Sequence, residues 1–328
     1  MAIRLLTAAD VRAALPMSEA IEAMREAFMA VSAGRAHMPL RTHLPLPGSN
    51  AATLTMPAAT SGSVRLGAKL LTLFPDNPSR GLPFIQGLVV MFDADTGRPT
   101  GLLEGTALTA IRTGAASGLA TRTLANPGAS RVGIIGSGVQ ARTQLEAVCC
   151  ARTVERVTVY SRNAEHARRF ASEVEARPGV PDTVHVAASP AEVAESCDII
   201  CTATGSATPL LEKKDIRPGT HINAVGSFTP SMQELAPDLF GAARLFVDHV
   251  PATMEEAGEV IAAVKEGILR QEDLVELGRV LDGKLPGRRG EEDITVFKSV
   301  GLAVQDLCAA TAALQRADEL GLGVSVEL

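Results

Sequence analysis

The sequence predicts an α/β protein, with a Rossmann-type doubly wound parallel sheet and a second α+β domain. Its 328 residues exceed one ordinary small domain and suffice for two cores. Apolar strand-like runs alternate with helical segments from residue 131 to residue 248, the pattern of a parallel sheet covered on both faces. Short strand-like runs without intervening helices fill residues 38–105, so a separate domain is expected there.

The first domain is expected to begin with two helices. The segments TAADVRAALP and SEAIEAMREAFMAVSAG lie within residues 7–34, and the second has apolar residues at three- and four-residue spacing. Three strand-like runs follow, ATLTMPA, VRLGAKLLTLFP and GLVVMFDADTGRPTGLLEG, and DADTG predicts a hairpin turn. Helix returns with TALTAIRTGAASGLATRTLA, whose small residues favour close packing against another element.

The alternating region predicts six strands. They are expected at residues 131–135, 156–160, 183–187, 198–203, 220–225 and 244–248. The segment ITVFKSVGLAVQDLCAATAALQRADELG predicts one last helix, long enough to return to the first domain. We therefore expect one domain of residues 1–112 with 301–328 and another of residues 113–300.

Composition and charge exclude several classes of protein. The net charge of −6 argues against a chain that binds nucleic acid, since such chains need a basic face. The five cysteines form no Cys-x-x-Cys pair, and the histidines form no His-Glu-x-x-His motif, so neither a metal site nor a disulfide framework is expected. The N-terminal segment lacks a signal-peptide pattern, and no apolar run approaches ~18 residues. We expect a cytoplasmic protein without a membrane span.

The stretch GIIGSGVQA matches the dinucleotide-binding fingerprint G-x-G-x-x-G/A. Gly136 permits a tight turn, Gly138 lets the backbone approach a pyrophosphate at a helix N-terminus, and Ala141 keeps helix and strand close. A simple glycine turn is the alternative. The position directly after a predicted strand and before a predicted helix favours a bound dinucleotide.

The end of the second predicted strand favours NADP over NAD. An NAD enzyme usually has Asp or Glu here, ~20 residues past the first glycine, to bind the ribose 2′-hydroxyl. This chain instead has Ser161, Arg162 and Asn163. An arginine and a hydroxyl attract a 2′-phosphate that a carboxylate would repel. A solvated arginine is the alternative.

Three cations lie among apolar neighbours. Arg112 is the only charge between Glu104 and Arg122, and Lys69 and Arg41 lie in similarly uncharged runs. Surface exposure or an internal ion pair is one explanation, because burying a lone cation is costly. The other is a small anionic substrate, whose carboxylate arginine binds through two parallel N–H bonds. Clustered cations would also lower the pKa of Lys69, which would let it donate a proton.

Over nearly its whole length the chain resembles the ornithine cyclodeaminase/mu-crystallin family. The segments that carry the resemblance are RTHLPL, GAKLLTLFPDNPSRGLP, GLLEGTALTAIRTGAASGLAT, VGIIGSGVQAR, INAVGSFTPSMQEL and ITVFKSVGLAVQDL. The resemblance implies a homodimer in which the N-terminal part and the last helix form a substrate-binding and dimerisation domain. It also implies a tightly held nicotinamide cofactor and an amino-acid or cyclic imino-acid substrate.

The resemblance also implies site residues. Arg41, Lys69 and Arg112 match the carboxylate-binding cations of the family, and Lys69 is the expected catalytic residue. A turn at TVFKS is expected to close over the nicotinamide. The expected cofactor-binding residues are Arg112, Thr113, Gly136, Ser137, Gly138, Val139, Gln140, Ser161, Arg162, Asn163, Ala203, Val225, Gly226, Ser227, Val296 and Phe297.

One departure from the cyclodeaminase pattern indicates the substrate. Phe228 occupies the position of the cyclodeaminase Asp, and Met232 replaces a Lys. The segment GSFTPSMQEL instead resembles the ketimine reductases of the family, which implies reduction of 1-pyrroline-2-carboxylate or 1-piperideine-2-carboxylate with NADPH, or NADH. Lys69, a water, or the hydroxyls of Ser227 and Thr229 are the candidate proton donors.

Two alternative functions stay open at this point. One is another enzyme of the family, such as an ornithine cyclodeaminase or another amino-acid dehydrogenase. The other is a non-catalytic protein that binds NADPH and a small ligand, as mu-crystallin is often described. Retention of all three cations favours turnover, because a hormone-like ligand would not require so much positive charge.

Overall fold

A computed structural model of the chain describes residues 2–62 and 64–327. The chain divides into two compact units, Met1–Arg112 with Leu302–Leu328 (unit 1) and Thr113–Gly301 (unit 2). The strands are, in chain order, β1 (Ala2–Leu6), β2 (Ala36–His37), β3 (Thr42–Pro45), β4 (Ala52–Thr60), β5 (Arg65–Leu73), β6 (Ile85–Phe92), β7 (Pro99–Glu104), β8 (Arg131–Ile135), β9 (Arg156–Tyr160), β10 (Val184–Val186), β11 (Ile199–Thr202), β12 (His221–Ala224), β13 (Ala243–Val247), β14 (Val275–Glu276), β15 (Ile294–Lys298) and β16 (Val324–Glu327). The helices are α1 (Ala8–Ala14), α2 (Met17–Ser32), α3 (Gly105–Leu124), α4 (Val139–Ala151), α5 (Ala164–Val174), α6 (Pro190–Ser196), α7 (Pro237–Phe240), α8 (Val250–Glu256), α9 (Gly258–Lys265), α10 (Leu277–Leu281) and α11 (Ala303–Leu320).

Unit 1 is built on a mostly antiparallel sheet. Its strand order is β16-β1-β7-β6-β5-β4-β2, and β3 pairs with the N-terminal half of β4. The predicted DADTG hairpin is confirmed: it joins antiparallel β6 and β7, Asp93 Oδ1 accepts a hydrogen bond from the Thr96 amide, and Gly97 has φ of +71°. The two predicted N-terminal helices are confirmed as α1 and α2.

The two faces of this sheet have different surroundings. The side chains of Met56, Lys69 and Val89 share one face and are buried, and α11 packs on β4, β5 and β6. On the other face, Leu44, Leu70 and Leu88 are 64%, 47% and 48% exposed. Because side chains alternate along a strand, unit 1 has one core-facing sheet face and one open face, on which these leucines lie among polar residues such as Thr72 and Gln86.

Unit 2 contains the predicted parallel sheet. Its order is β10-β9-β8-β11-β12-β15-β13-β14, and every pair in it is parallel. Helices connect the successive strands except β11 and β12, and the β-branched side chains of β8 and β9 pack in the core with α4 and α5. The α/β fold class is thereby confirmed. All six predicted strands are present, each within one residue of its predicted ends.

The prediction of one helix from residue 294 is wrong. Ile294–Lys298 is a strand, β15, which pairs with β12 on one side and β13 on the other, and α11 begins only at Ala303. The β-branched residues of the ITVFK run suit a central strand. The TVFKS segment is therefore no turn that closes over a cofactor, and the side chains of Val296 and Phe297 are fully buried. Strand β1 of unit 1 and its partner β16 at the sheet edge were also not predicted.

The described residues place limits on two kinds of site. Within residues 2–62 and 64–327, no helix has the length and apolarity that crossing a bilayer requires. Over the same residues, no three His, Cys, Asp or Glu side chains are grouped so that they could bind a metal ion. All five cysteines are free thiols.

Candidate active site

The two buried cations of unit 1 share one carboxylate. Lys69 lies on the helix-facing side of β5, and its Nζ is 2.6 Å from Asp306 Oδ2. Arg112, on α3, donates from Nε to Asp306 Oδ1 at 2.9 Å. None of the three residues is more than 5% exposed. The internal ion pair, one of the two explanations for these cations, is thus present, and Asp306 forms it with both.

Gln305 completes this cation cluster, by which we mean Arg41, Lys69, Arg112, Gln305 and Asp306. Its Oε1 accepts a hydrogen bond from Arg112 Nη1 at 2.8 Å, and its side chain is fully buried. Sequence reasoning missed both Gln305 and Asp306. A signal was present, because Asp306 is the only charge between Lys298 and Arg316.

Burial dominates the electrostatics of Lys69. Burial, and the nearby charges of Arg112 and Arg41, lower the pKa of Lys69 to about 7, while Asp306 opposes the shift. The direction of this shift is the one expected from the sequence, although its largest cause is burial rather than the clustered charges. Burial tends to raise the pKa of Asp306, but Arg112 and Lys69 hold it below its usual value.

The cluster keeps a positive charge. With Lys69 protonated, Arg112 and Lys69 contribute two positive charges, and Asp306 offsets one of them. Arg41, directly before β3, is half-buried and adds a third cation whose charge acts on Lys69. Asp306 therefore balances only one of the two buried positive charges. The carboxylate of a bound monoanion would balance the other.

In unit 2, the glycine-rich segment forms a turn between β8 and α4. Gly136 has φ of +121°, and a Cβ atom there would lie 2.5 Å from the carbonyl oxygen of Ala203, so only glycine fits. Gly138 precedes the first residue of α4, and a Cβ on it would meet nothing within 4 Å. The open space at the helix N-terminus fits the pyrophosphate of a dinucleotide.

Two side-chain contacts hold this turn. The hydroxyls of Ser137 and Ser161 lie 2.9 Å apart and join the turn to the end of β9. Arg142 Nη1 donates to the carbonyl oxygens of Ser137 and Gly138 at 2.7 and 3.0 Å, and its guanidinium stacks over the Phe170 ring. These bonds occupy the carbonyl oxygens of Ser137 and Gly138, and the Gly136 N–H donates to the carbonyl oxygen of Tyr160 at 2.9 Å. Arg142 was not predicted.

The residues after β9 differ in accessibility and role. Ser161 is half-buried, whereas Arg162 is exposed. Asn163 Oδ1 accepts from the amides of Glu165 and His166 at 2.9 and 3.4 Å, so this side chain caps α5. Its oxygen is therefore committed to the fold, and Arg162 is the charged group at this point that is open to solvent.

The other predicted positions near α4 are partly accessible. Val139 is 60% exposed although it is apolar, and Gln140 is half-buried. Thr113 is buried, and its carbonyl oxygen accepts from Gln144 Nε2 at 3.2 Å. An exposed valine at the start of this helix gives the turn an apolar surface.

A buried glutamate organises the loops after β11 and β12, where Ala203, Val225 and Gly226 lie. Glu234 accepts hydrogen bonds from the Thr204 amide at 2.7 Å, the Thr202 hydroxyl at 2.8 Å and the Gly226 amide at 2.8 Å. Burial raises its pKa, and Lys298 opposes that shift. Because one side chain joins both loops, Glu234 fixes the backbone at the predicted cofactor positions. No pattern in the sequence identified it.

Ser227 lies at a buried ion pair. Its hydroxyl donates to Glu259 and accepts from Lys298 Nζ at 2.7 Å, and Nζ lies 3.0 Å from Glu259 Oε1. All three side chains are fully buried. An internal ion pair therefore holds this hydroxyl, and its role as a proton donor stays a prediction. Thr229 is half-buried, and its hydroxyl lies 3.1 Å from that of Ser231.

Comparison with known proteins decides the family. The model of the ornithine cyclodeaminase/mu-crystallin family matches residues 2–320. The chain belongs to this family. A Δ1-pyrroline-2-carboxylate reductase of Bacillus cereus (strain ATCC 10987) is 40% identical over 324 residues, which cover 98% of this chain and 99% of the relative. The family that the sequence resembled is thereby confirmed.

Solved structures of family members are similar throughout. The Δ1-pyrroline-2-carboxylate reductase of Thermococcus litoralis, solved with NADH and L-proline, is 38% identical with a TM-score of 0.95, covering 99% of this chain and 100% of that one. An archaeal alanine dehydrogenase dimer with bound NAD is 33% identical with a TM-score of 0.92, covering 100% of both chains. Both relatives hold a nicotinamide dinucleotide, the class of cofactor that the glycine turn of unit 2 fits.

Proposed function

We propose that this family member is an NAD(P)H-dependent ketimine reductase. Its substrate is a cyclic 2-imino acid, 1-pyrroline-2-carboxylate or 1-piperideine-2-carboxylate, and its product is L-proline or L-pipecolate. The observation that carries the proposal is the buried cation cluster, in which Lys69 and Arg112 share the single carboxylate of Asp306 and so keep a positive charge. The similarity to two Δ1-pyrroline-2-carboxylate reductases supports it.

The cations bind the carboxylate of the substrate. Arg112 has five N–H donors, of which one bonds Asp306 and one bonds Gln305, so others are left for a ligand. Arg41 and Lys69 supply further charge. Because Asp306 and Gln305 hold the guanidinium in place, little side-chain freedom is lost when the substrate binds.

Lys69 is the proton donor. The imine carbon accepts a hydride only when the ring nitrogen carries a proton, and a lysine whose pKa is about 7 can deliver one at neutral pH. When bound, the nicotinamide supplies the hydride. The C=N bond becomes a C–N single bond, with hydride at C2 and the proton of Lys69 at nitrogen. Asp306 keeps Nζ in place and stabilises its charged form before transfer.

Phe228 favours an unsubstituted ring. Its half-buried phenyl ring can contact apolar substrate atoms but cannot accept a proton or pair with a second ammonium group. This residue speaks against a cyclodeaminase, which must hold the side-chain amine of a diamino acid.

The cofactor that we propose is NADPH, with NADH as a second donor. Arg162 is exposed at the end of β9, beside Ser161, and no carboxylate occupies residues 161–163 to repel a 2′-phosphate. Thr113, Val139, Gln140, Ala203, Val225 and Gly226 are proposed to contact the rest of the dinucleotide.

A homodimer in the cytoplasm is also proposed. Leu44, Leu70 and Leu88 are exposed on one face of the unit 1 sheet, and a second copy could cover these apolar side chains. The archaeal alanine dehydrogenase of the same fold is described as a dimer. The five free thiols suit a reducing compartment.

The test is an assay of NADPH oxidation, followed by absorbance at the nicotinamide band, with both cyclic imines side by side. We expect oxidation that depends on one or both imines and yields the L-amino acid. Oxidation with neither imine would overturn the proposal. Ammonia released from L-ornithine with catalytic NAD would indicate a cyclodeaminase instead.

A further inference from the structure

Gln305 carries a buried side-chain amide nitrogen, Nε2, that has no hydrogen-bond partner among the described residues. It lies in the first turn of α11, and its side chain is 0% exposed. Its Oε1 accepts two hydrogen bonds, from Arg112 Nη1 at 2.8 Å and from the backbone N–H of Leu302 at 3.1 Å. Among residues 2–62 and 64–327, nothing accepts a hydrogen bond from its Nε2.

The orientation of this amide is fixed by its neighbours. Arg112 Nη1 and the Leu302 amide are both donors, so the atom between them must be an acceptor. Exchanging Oε1 and Nε2 would bring N–H groups against N–H groups on both contacts. The two unpartnered N–H bonds of Nε2 therefore follow from the network itself.

Buried donors of this kind are rare in folded proteins. A donor removed from water without an acceptor destabilises the folded state, so each instance calls for an explanation. Asp306, the neighbouring carboxylate, is already engaged by Lys69 and Arg112. The acceptor that is missing from the described residues is best supplied by a ligand.

The chemistry around Nε2 specifies the ligand. The guanidinium bonded to Oε1 belongs to a cluster with net positive charge, which attracts an anion with oxygen acceptors. A carboxylate can accept from Arg112 with one oxygen and from an amide N–H with the other. A neutral donor adds this second bond without adding positive charge, so it does not lower the pKa of Lys69 further.

We propose that Gln305 is a substrate-binding residue whose Nε2 donates a hydrogen bond to the carboxylate that Arg112 also holds. This inference rests on the proposed function for the identity of the carboxylate. Through Oε1, the same side chain keeps Arg112 in position, so Gln305 binds the substrate both directly and through its neighbour.

Two substitutions distinguish hydrogen-bond donation by Gln305 Nε2 from the other roles that Gln305 could have. Gln305→Glu keeps an acceptor for Arg112 and Leu302 but removes the donor, so a residue that only positions Arg112 would tolerate it. Gln305→Met removes the donor without adding charge, so a purely electrostatic role would tolerate that one. We expect both variants to raise KM for the imino acid roughly tenfold or more. The matched controls are Gln315→Glu and Gln315→Met, at an exposed position of the same helix.

The binding readout does not depend on turnover. Calorimetric titration of the NADPH-loaded protein with pyrrole-2-carboxylate, a planar anion that is not reduced, should show the same loss of affinity in both Gln305 variants. The affinity of each variant for NADPH should stay within about twofold of the wild-type value. Wild-type affinity for pyrrole-2-carboxylate in either variant overturns the inference, even where the wild-type enzyme reduces the imines.

Failure of the proposed function has a different signature. If the wild-type protein binds pyrrole-2-carboxylate but reduces neither imine, the proposed reaction is wrong. A loss of affinity for pyrrole-2-carboxylate in the Gln305 variants would then still support the role of Gln305 in binding. If the variants do not fold, the wild-type protein labelled with 15N-glutamine provides the test. Adding pyrrole-2-carboxylate should shift the Gln305 side-chain amide protons, and unmoved resonances overturn the inference.

Discussion

Lys69 Nζ lies 2.6 Å from Asp306 Oδ2, and the side chains of both residues are 2% exposed. The pair joins a strand and a helix that are 237 residues apart in sequence. Asp306 also binds Arg112, so a single carboxylate holds two cations inside unit 1. A buried lysine kept near the midpoint of its titration by one carboxylate is suited to release a proton at neutral pH.

The first prediction concerns the pH dependence of kcat/KM, which reports pKa values of the free enzyme. Because Lys69 donates the proton, activity should fall as pH rises through about 7, the pKa of Lys69. Asp306→Asn removes the charge that supports protonated Lys69, so the fall should move to lower pH. Lys69→Arg keeps its charge throughout, so it should retain only weak activity without a fall near neutral pH. Initial rates at imine concentrations well below KM, measured across neutral pH, test this, and an unmoved profile in Asp306→Asn would contradict the role given to Lys69.

The second prediction concerns Arg112→Ala. Loss of a buried charged bond to the substrate carboxylate should cost about 2 kcal/mol of binding or more, a rise of roughly 30-fold in KM for the imine. The affinity for NADPH serves as an internal check on folding. Arg122→Ala, an exposed substitution on the same helix, is the matched control. Equal KM values for Arg112→Ala and wild-type enzyme would place Arg112 outside the site.

The third prediction concerns cofactor choice. Arg162→Ala should weaken the binding of NADPH and leave that of NADH nearly unchanged, because only NADPH has the 2′-phosphate that this arginine attracts. Arg168→Ala, an exposed arginine on α5, is the control. KM values for both cofactors measure the effect. Similar losses for the two cofactors would show that the end of β9 does not select NADPH.

The fourth prediction concerns stability in acid. Burial, and the nearby charge of Arg288, lower the pKa of His221 to about 3, and its ring nitrogens bond Thr295 and Asn223. Between this value and the ordinary pKa of 6.5, the unfolded chain binds a proton that the folded chain does not. The contribution of this residue to the free energy of unfolding should therefore decrease by about 2 kcal/mol from pH 7 to pH 5.

Urea unfolding at both pH values measures this effect. His221→Gln should lose the corresponding part of the pH dependence, whereas the exposed substitution His185→Gln should keep it. The same pH dependence in His221→Gln and wild-type protein would show that another group destabilises the protein in acid.

The cations of the site could be found from sequence, but their partners could not. Lys69 and Arg112 are noticeable because each is the only charge in an apolar run. Asp306 is equally isolated, yet it lies 194 residues after Arg112, and no local pattern connects the two. Likewise, the network that holds the Ser227 hydroxyl depends on Glu259 and on Lys298, 71 residues away.

The fold was predictable where periodicity is local. The alternating strands and helices of unit 2 follow from short-range patterns, whereas β15 was merged with α11 because residues 294–320 contain no proline to separate them. What makes Ile294–Lys298 a strand is its place between β12 and β13, which is a tertiary constraint. Short outer strands such as β16 depend on their partners in the same way.

The most direct measurement of the central claim follows the hydride itself. The enzyme is incubated with 1-pyrroline-2-carboxylate and NADPH that is deuterated at nicotinamide C4, and the product is analysed by mass spectrometry and NMR. The account predicts L-proline with deuterium at C2 and unlabelled hydrogen on nitrogen, formed more slowly by Arg112→Ala. Proline without deuterium at C2, or no proline at all, would contradict it.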